Sequence, residues 1–346
     1  MPHYTFLKFI WPSALAMLMF IALPIVSISI QSLFIEHEKI LVTVENCTPF
    51  GCKEITKVDL EATEAQEAKE PLGKFNGFGT YTNRNHLAFS ELKQAWRESN
   101  GLNKFLAEVF NLPFYKALSF TLSYTFIVTP CVIIIGFFIS LAVNRLPSFF
   151  KGPTIFVCLL PMIITPLIGS LVLFWMIDAE GIIGSFLQII FNDQNLSLKA
   201  SPTLTWIMLF VYGIWHHAPF AFIVFYAGLQ TVPSDTLESA MIDGANRWEQ
   251  TRYVIIPHLM PLAVFISLIQ LMDNFRVFEP IIGFNAQASA TSLSWLIYND
   301  FRSGDGDMLF GSAAATSILT IIGVSILMTP VIVRTWRANR PSQGVS

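Results

Sequence analysis

Residues 118–143 read LSFTLSYTFIVTPCVIIIGFFISLAV, and none of these 26 residues is Asp, Glu, Lys, Arg or His. A helix needs roughly 20 predominantly apolar residues to cross the hydrocarbon core of a bilayer, which is about 30 Å thick. Core helices of soluble domains seldom show an uninterrupted run of this length. The stretch therefore predicts a membrane-spanning helix.

Further runs that are long and apolar enough to span a membrane lie at 10–34, 153–177, 203–229, 259–284 and 309–333. Their polar exceptions are His216 and His217 in the fourth span and Asp273, Arg276 and Glu279 in the fifth. The first run is longer than the apolar core of a signal peptide, so we interpret it as a retained helix. The chain is predicted to be an all-α, polytopic bundle of six transmembrane helices. Pro161 and Pro166 mark candidate kinks in the third.

The composition supports this class and excludes others. The 346 residues are 53% hydrophobic and 13% charged, with a mean hydropathy of +0.56, whereas soluble domains carry charge on about a quarter of their residues. The net charge of −3 gives no basic excess for the phosphates of a nucleic acid. Of the 45 charged residues, 22 fall within 36–116. This distribution excludes a cytosolic enzyme, a disordered chain and a basic nucleic-acid-binding protein, and it indicates one polar segment outside the bilayer.

Basic residues in short loops indicate the orientation, because cytoplasmic loops carry an excess of Lys and Arg. The short loops 178–202 and 285–308 contain one basic residue each, Lys199 and Arg302. The opposite side carries eight, namely Lys8, Arg145, Lys151, Arg247, Arg252, Arg334, Arg337 and Arg340. Both termini are therefore expected in the cytoplasm, and the segment 36–116 is expected outside.

The exported segment carries two cysteines, Cys47 and Cys52. An oxidising compartment permits a disulfide between them, but sequence spacing does not show that the two Cβ atoms approach. A disulfide and two free thiols both remain open. The run 61–70 has helical propensity without an apolar stripe, which is typical of a solvated helix or linker.

The loop between the fourth and fifth spans, residues 231–258, reads TVPSDTLESAMIDGANRWEQTRYVIIPH. Asp235 and Glu238 have the spacing of a capping box, which predicts a helix over 235–246. Gly244 fits a C-terminal turn, and Arg247 begins a second short helix. Small or apolar residues recur at helical spacing, at Leu237, Ala240, Met241, Gly244 and Ala245. By pattern alone, this is either an ordinary surface helix against the bundle or a docking element for a partner.

The string ESAMIDGA at 238–245, followed by Ile255-Ile256-Pro257, closely resembles the Glu-Ala-Ala, Asp-Gly-Ala, Ile-x-Leu-Pro signature of the inner-membrane permease subunits of binding-protein-dependent ABC importers. Ser239 and Ile256 replace the usual alanine and leucine. The strings WHHAPF, AGLQTVP and FRVFE, at 215–220, 227–233 and 275–279, resemble the carbohydrate-uptake, maltose-type branch. The segment 292–298 is also similar, but FNAQA at 284–288 replaces the usual Thr-Gly-Gly-Gly-Pro turn.

The resemblance implies a multi-pass subunit of the bacterial cytoplasmic (inner) membrane with several partners: a second homologous permease, two ATPase subunits and an extracytoplasmic solute-binding protein. The helix in the loop would couple to the ATPase through Leu237, Glu238, Ser239, Ala240, Met241, Asp243, Gly244 and Ala245. Glu238 would either cap its own helix or pair with a basic ATPase residue. The chain has no Gly-x4-Gly-Lys-Ser/Thr loop, so ATP and Mg²⁺ are expected on the partner ATPases, with no cofactor or catalytic role here.

The implied organisation has four parts. Residues 1–35 form the cytoplasmic N-terminus and first helix, 36–116 the extracytoplasmic insertion, 117–333 the permease core, and 334–346 the cytoplasmic tail. Positions matching the sugar contacts of maltose-type relatives are Gly213, His216, His217 and Phe220 on the fourth span and Gln270, Asp273, Asn274 and Val277 on the fifth. The last four follow an i, i+3, i+4, i+7 pattern, which predicts one shared helix face.

Each pathway candidate has an alternative. The two histidines lie about 100° apart around a helix, so we expect that both do not face one solute or one metal ion, and no metal site is expected. Asp273, Arg276 and Glu279 have i, i+3 spacing, which suits either intrahelical ion pairs or contact with the solute.

The resemblance therefore implies the import of a sugar or a sugar-like solute. The alternatives are the same architecture for a polyol phosphate, a sulfonated sugar or a polyamine, or a self-contained secondary transporter, which would be expected to show internal repeats.

Overall fold

The computed structural model describes residues 2–48, 51–99, 101–192, 197, 199, 201–302 and 309–338. The described residues form two compact units. The first is drawn from 1–115 and 296–321, and the second from 116–295 and 322–346.

The part of the chain before residue 112 alternates short helices with two small antiparallel sheets. Its elements are α1 (Pro2–Met17), a π-helical turn (Leu18–Ala22), α2 (Leu23–Gln31), β1 (Phe34–Ile35), β2 (Leu41–Thr48), β3 (Gly51–Val58), α3 (Leu60–Lys69), β4 (Lys74–Phe75), α4 (Gly79–Thr82), α5 (Phe89–Glu98) and α6 (Leu102–Asn111). The sheets pair β1 with β4 and β2 with β3. The expectation of an all-α chain therefore holds for the membrane helices but not for the polar segment.

The rest of the described chain is helical. Its elements are α7 (Pro113–Asn144), α8 (Ser148–Ile163), α9 (Pro166–Met176), α10 (Ile182–Phe191), α11 (Pro202–Leu229), α12 (Ser234–Ile242), α13 (Arg247–Gln250), a π-helical turn (Thr251–Ile255), α14 (Ile256–Phe275), α15 (Glu279–Gly283), α16 (Leu293–Phe301) and α17 (Phe310–Ala338).

Helical segments with the length and apolar composition of a membrane span occur at Lys8–Gln31, Pro113–Asn144, Pro202–Leu229, Arg247–Phe275 and Phe310–Trp336. A sixth span is obtained when α8 and α9 are counted together. The polytopic helical class predicted from the sequence is confirmed. The predicted count of six spans holds if α8 and α9 together form one span.

The third span is not the single helix that the sequence predicted over 153–177. The axes of α8 and α9 differ by 94° across a break of a few residues. Pro166 explains the break, because it lacks an N–H group and disfavours the helical conformation in the residue before it. Thr165 is accordingly extended, with φ −61° and ψ 141°. The kink inferred at Pro166 is therefore a sharp turn at which the helix restarts.

The core of the second unit lies along one face of α7. Phe120, Tyr124, Val128 and Val132 recur every fourth residue and are all buried, since side chains at i and i+4 share a helix face. They belong to one apolar cluster with residues of α11 and α14. One turn further on, Gly136 allows α11 to approach closely, because a Cβ atom at Gly136 would lie 2.8 Å from the backbone nitrogen of Phe222.

The polar segment is ordered into a hairpin and several helices. In the hairpin, Cys47 is the direct cross-strand partner of Cys52. Their side chains lie outside the part of the chain that the structure describes, so the disulfide stays a prediction. Helix α3 (Leu60–Lys69) covers all but the last residue of the run 61–70, and its mostly exposed side chains agree with the expected solvated helix.

Within the first unit, two contacts join the polar segment to the first turns of α17. Glu36 Oε1 accepts a hydrogen bond from the Gly311 N–H at 2.6 Å. The fully buried His86 contacts the Ser312 carbonyl and the Thr316 hydroxyl through Nε2, both at 3.1 Å. These contacts fix residues 36–86 to the start of a predicted span.

Candidate functional site

A cavity of about 390 Å³ lies inside the second unit. It is formed by α7, the first residue of α9, α11, the end of α14, the segment leading into α15 and the first two residues of α15. Its lining residues are Tyr124, Pro166, Tyr212, His216, His217, Asp273, Asn274, Arg276, Val277, Glu279 and Pro280. Polar and ionisable groups are costly at the depth of a membrane and tend to line functional cavities. This cavity is therefore the candidate site of solute passage.

Aromatic rings form one wall of the cavity. The rings of Tyr212 and His216 stack with centroids 5.8 Å apart and planes at 10°. The His217 ring meets that of His216 edge to face at 5.2 Å. Both histidines line the cavity, while the expectation that the two do not face one solute stays a prediction.

Several polar atoms around the cavity are buried and have no hydrogen-bond partner among the described residues. They are Tyr124 Oη, His216 Nδ1 and Asn274 Oδ1 in the lining, and Gln270 Oε1 one turn earlier on α14. A buried polar atom without a partner costs roughly 1–3 kcal/mol. Such atoms suit a site in which hydroxyl groups of a solute supply the missing donors and acceptors.

Asn274 is held in place through the other atom of its amide. Its Nδ2 donates to Thr129 Oγ1 of α7 at 2.9 Å, and both residues are buried. The bond fixes the amide so that its oxygen is left for the cavity. Asn274 therefore both joins two helices and presents an acceptor.

The charged groups of the lining are partly paired. Arg276 Nη2 lies 3.0 Å from Asp273 Oδ1, and Arg276 Nε donates to the Met272 carbonyl at 3.3 Å. Of the two ion pairs that the spacing suggested, this one is present. Arg276 and Glu279 form none in the described part of the chain. The reason is that α14 ends at Phe275, so residues 276 and 279 do not share a helix face.

The same helix end changes the predicted pathway face. Helix α14 contains Gln270, Asp273 and Asn274 but ends before Val277. The prediction that all four residues share one helix face is therefore wrong. Val277 reaches the cavity from the segment between α14 and α15 instead. Gln270 is buried just outside the lining.

Gly213 and Phe220, the other two pathway candidates, also lie outside the lining. Gly213 packs directly against the Tyr124 hydroxyl group, and a Cβ atom there would lie 2.8 Å from Tyr124 Cζ. The Phe220 ring faces Phe265, with centroids 6.5 Å apart. Gly213 therefore shapes the cavity through Tyr124, and Phe220 packs between α11 and α14.

Tyr124 and Tyr212 line the cavity but were absent from the sequence-based candidates. Each stands in an apolar run, where a single phenol resembles ordinary core packing. The available signal was a hydroxyl group at bilayer depth, which requires a partner. Tyr212 finds one in the Pro166 carbonyl at 2.7 Å, so the break in the third span and the cavity wall depend on each other.

The loop between α11 and α14 is the second candidate site. Its helix, α12, covers Ser234–Ile242 and not the predicted 235–246. The residue before the helix is Pro233, and no side chain caps the first turn. The capping box proposed for Asp235 and Glu238 is therefore wrong. Asp235 is instead inside the first turn, where a carboxylate still interacts favourably with the helix dipole.

A capping box is present one helix later. The Asn246 N–H donates to Glu249 Oε2 at 2.7 Å, while Asn246 Oδ1 accepts from the N–H groups of Trp248 and Glu249 at 3.0 Å. This box starts α13 at Arg247, as the sequence predicted for the second short helix. The sequence therefore predicted the correct type of cap, but at the start of α12 and not of α13.

The C-terminal turn of α12 depends on Gly244. Its φ of +83° is the left-handed conformation expected for a helix stop, and its N–H donates to the Met241 carbonyl at 3.0 Å. Nothing lies within 4 Å of the position that a Cβ atom would take. The backbone conformation, and not a lack of space for a side chain, therefore favours glycine at this position.

Most of the predicted coupling residues are exposed. No residue of α12 is buried; Leu237, Ala240 and Ala245 are half-buried, and Glu238, Ser239, Met241, Asp243 and Gly244 are exposed. Ile242 at its end is 86% exposed. The helix therefore presents a free surface with an apolar tip.

The residues 105–336, which include the cavity and this loop, match the family described as binding-protein-dependent transport system inner membrane component. The chain belongs to this family. The permease is therefore a multi-pass membrane protein of a transport system.

One curated relative is the trehalose/maltose transport system permease protein MalF of Thermococcus litoralis. It is 26% identical to the permease over 226 residues, which cover 64% of this chain and 75% of the relative.

Two solved structures share the fold. One is a bacterial ABC transporter involved in the import of the acidic polysaccharide alginate, with a TM-score of 0.66 and 17% identity over 98% of this chain and 100% of that one. The other is a bacterial alginate ABC transporter in complex with an alginate pentasaccharide-bound periplasmic protein, with a TM-score of 0.59 and 21% identity over 73% of this chain and 88% of that one. At these identities the likeness concerns the fold.

Proposed function

We propose that the permease is one of two membrane subunits of an ATP-driven importer and that its solute is a neutral sugar. The observation that carries this proposal is the polar cavity, in which stacked aromatic rings lie beside buried, unpartnered polar atoms. The C–H faces of a sugar pack on aromatic rings, and its hydroxyl groups both donate and accept. The trehalose/maltose relative supports the same solute class.

The charges in the cavity favour a neutral solute over the alternatives. Arg276, which would suit a polyol phosphate or a sulfonated sugar, is already paired with Asp273. Glu279 adds a negative charge to the lining, which opposes an anion. A polyamine would have to compete with Arg276 for Asp273. Because Asp273 and Arg276 are paired with each other, hydrogen bonding is left as the main means of recognising the solute.

The permease would act with a second homologous permease, two ATPase subunits and an extracytoplasmic solute-binding protein. One of the two similar structures is a complex with a periplasmic protein, which supports the last partner. The chain lacks a phosphate-binding loop, so ATP hydrolysis would take place on the ATPases and this subunit would be non-catalytic. The exposed α12, with its apolar tip, would dock in an ATPase groove and transmit the closure of the ATPase dimer.

The proposed topology follows from the distribution of basic residues. Both termini and the loop 231–258 would face the cytoplasm, and residues 36–116 would lie outside the inner membrane. The core 117–333 would then form the translocation bundle, with Cys47 and Cys52 in an oxidising compartment.

The test is ATP hydrolysis by the complete reconstituted importer with its binding protein. We expect a neutral disaccharide on the binding protein to stimulate hydrolysis and to be imported, whereas glycerol 3-phosphate and spermidine give neither effect. Stimulation by either charged solute alone would contradict the proposed solute class.

The Asp273→Asn variant tests the role of the charge pair. It leaves Arg276 unpaired in the cavity, so neutral uptake should fall, and adding Arg276→Gln should restore part of it. Equal uptake by all three proteins would show that the pair has no part in recognition.

A further inference from the structure

The helices α5 and α6 of the first unit are both amphipathic. In α6, apolar residues occur at i, i+3, i+4, i+7 and i+8, namely Leu102, Phe105, Leu106, Val109 and Phe110. In α5, the apolar face consists of Phe89, Leu92, Ala95 and Trp96. The charged residues of both helices lie on the opposite sides. A pattern of this kind requires something apolar to cover the face.

The part of the chain that the structure describes does not cover this face. The two helices pack on each other, with the Trp96 and Phe105 rings edge to face at 5.2 Å. Even so, Trp96 is 65% exposed and Leu102 is 69% exposed, and Phe89 and Phe110 are also exposed. An apolar surface of this extent in a polar segment indicates contact with a partner or a membrane.

The position of the pair along the chain favours a membrane. Helix α6 ends at Asn111, and α7, a predicted span, begins at Pro113. One intervening residue, Leu112, separates the two helices, and consecutive Cα atoms are only about 3.8 Å apart. The C-terminal end of α6 therefore lies at the level where α7 enters the bilayer.

The charges of the pair favour a neutral surface. The two helices carry three basic residues, Lys93, Arg97 and Lys104, and three acidic ones, Glu91, Glu98 and Glu108. A docking site for a charged protein surface would be expected to show an excess of one sign. Tryptophan is enriched at the boundary between headgroups and acyl chains, where its ring contacts both.

We propose that α5 and α6 lie in the plane of the membrane interface, with Phe89, Trp96, Leu102, Leu106 and Phe110 inserted among the acyl chains next to α7. The partner is the lipid surface itself. Its assignment to the outer leaflet rests on the proposed topology.

The test uses the complete importer in nanodiscs of phosphatidylcholine whose acyl chain carries a photoreactive diazirine, followed by peptide mapping. We expect adducts on residues 89–110 to be several-fold more abundant than on residues 60–69. The latter segment forms α3, an exposed helix of the same polar region without an apolar face. Peptides from α7 serve as the positive control.

A matched pair of variants identifies the face. Leu102→Glu and Ala107→Glu add the same charge to α6, at the centre of its apolar face and on its exposed opposite side respectively. We expect the first to reduce adducts on 102–110 several-fold and the second to leave them unchanged. ATPase stimulation measured on the same samples reports separately on transport function.

Equal labelling of 60–69 and 89–110 would overturn the proposal, as would labelling of α7 without labelling of 89–110. In the second case, labelling of 89–110 that appears once the binding protein is left out would assign the face to that protein instead. If ATPase stimulation is lost while residues 89–110 are still labelled, the result contradicts the proposed function and leaves the membrane-interface proposal standing.

Discussion

Asn274 and Thr129, 145 positions apart in the chain, are joined by a hydrogen bond of 2.9 Å from Nδ2 to Oγ1. Both are buried, and Asn274 also lines the cavity. One amide therefore performs two tasks, since its nitrogen joins α14 to α7 while its oxygen remains for a solute.

Two variants separate the interhelical bond of Asn274 from its role in the cavity. Thr129→Val removes the interhelical bond but keeps the amide, whereas Asn274→Leu removes both. Such bonds in membranes contribute about 0.6 kcal/mol on average and up to about 1.7, so both variants should unfold only slightly more readily than the parent. Uptake should be largely lost with Asn274→Leu and mostly kept with Thr129→Val. Equal uptake by the two variants would remove Asn274 from the pathway.

Gly213 and Tyr124 provide a steric test of the cavity wall. A Cβ atom at Gly213 would overlap the Tyr124 phenol, so Gly213→Ala should displace that ring and destabilise the protein by about 1–3 kcal/mol. Adding Tyr124→Phe removes the hydroxyl group and should restore part of the stability. Gly152→Ala is the matched control, because nothing lies within 4 Å of its Cβ position. Thermal unfolding in detergent measures these variants and Tyr124→Phe alone, and additive effects of the two single variants in the double variant would refute the contact.

Gly244 tests the coupling helix through its backbone. A β-branched residue at φ +83° is strained by roughly 1–2 kcal/mol, so Gly244→Val should distort the end of α12 and abolish both uptake and ATPase stimulation. Gly244→Asn should retain most activity, since asparagine tolerates this conformation. Membrane levels of both variants, measured by immunoblot, should match the parent. Full uptake with Gly244→Val would contradict the coupling role.

His86 makes the attachment of the polar segment sensitive to acid. Burial lowers the pKa of His86 below its ordinary 6.5, although the Ser312 carbonyl opposes the shift. The unfolded segment therefore binds the proton first, and the stability contributed by this contact is complete above pH 6.5 and falls as the pH drops toward the lowered pKa. Asp300, whose carboxyl group accepts a bond from Ser312 at 2.7 Å, lies in the same cluster.

Hydrogen-exchange protection factors of residues 79–98 measure this effect between about pH 7.5 and about pH 5.5. Protection should decrease on acidification in the parent and change less in His86→Gln. Burial raises the pKa of Asp300, which acts in the opposite direction, because that stability is lost as the pH rises from 3.8 through the raised value. Asp300→Asn removes this second effect. A pH response that is identical in His86→Gln and the parent would exclude His86 as its source.

Much of the architecture could be predicted from the sequence. Runs such as 118–143 determine membrane helices by themselves, because no water is present in the bilayer core to solvate charged groups. The left-handed Gly244 and the start of α13 at Arg247 were also predictable, since they depend on residues within a few positions along the chain.

What the sequence did not determine depends on where helices stop and what they meet. The pairs Asp235–Glu238 and Asn246–Glu249 have the same spacing, and only the backbone path before each helix decides which pair forms a capping box. The end of α14 at Phe275 moved Val277 off the predicted face, and the 94° break at Pro166 brought a carbonyl group to Tyr212.

The sequence by itself thus determined which segments enter the membrane and which loop remains free, because both follow from local composition. Only the tertiary structure decided which polar side chains share a cavity. Tyr124, His217 and Glu279 belong to separate segments, and their proximity results from helix ends and close packing between α7 and α11 that no local pattern specifies.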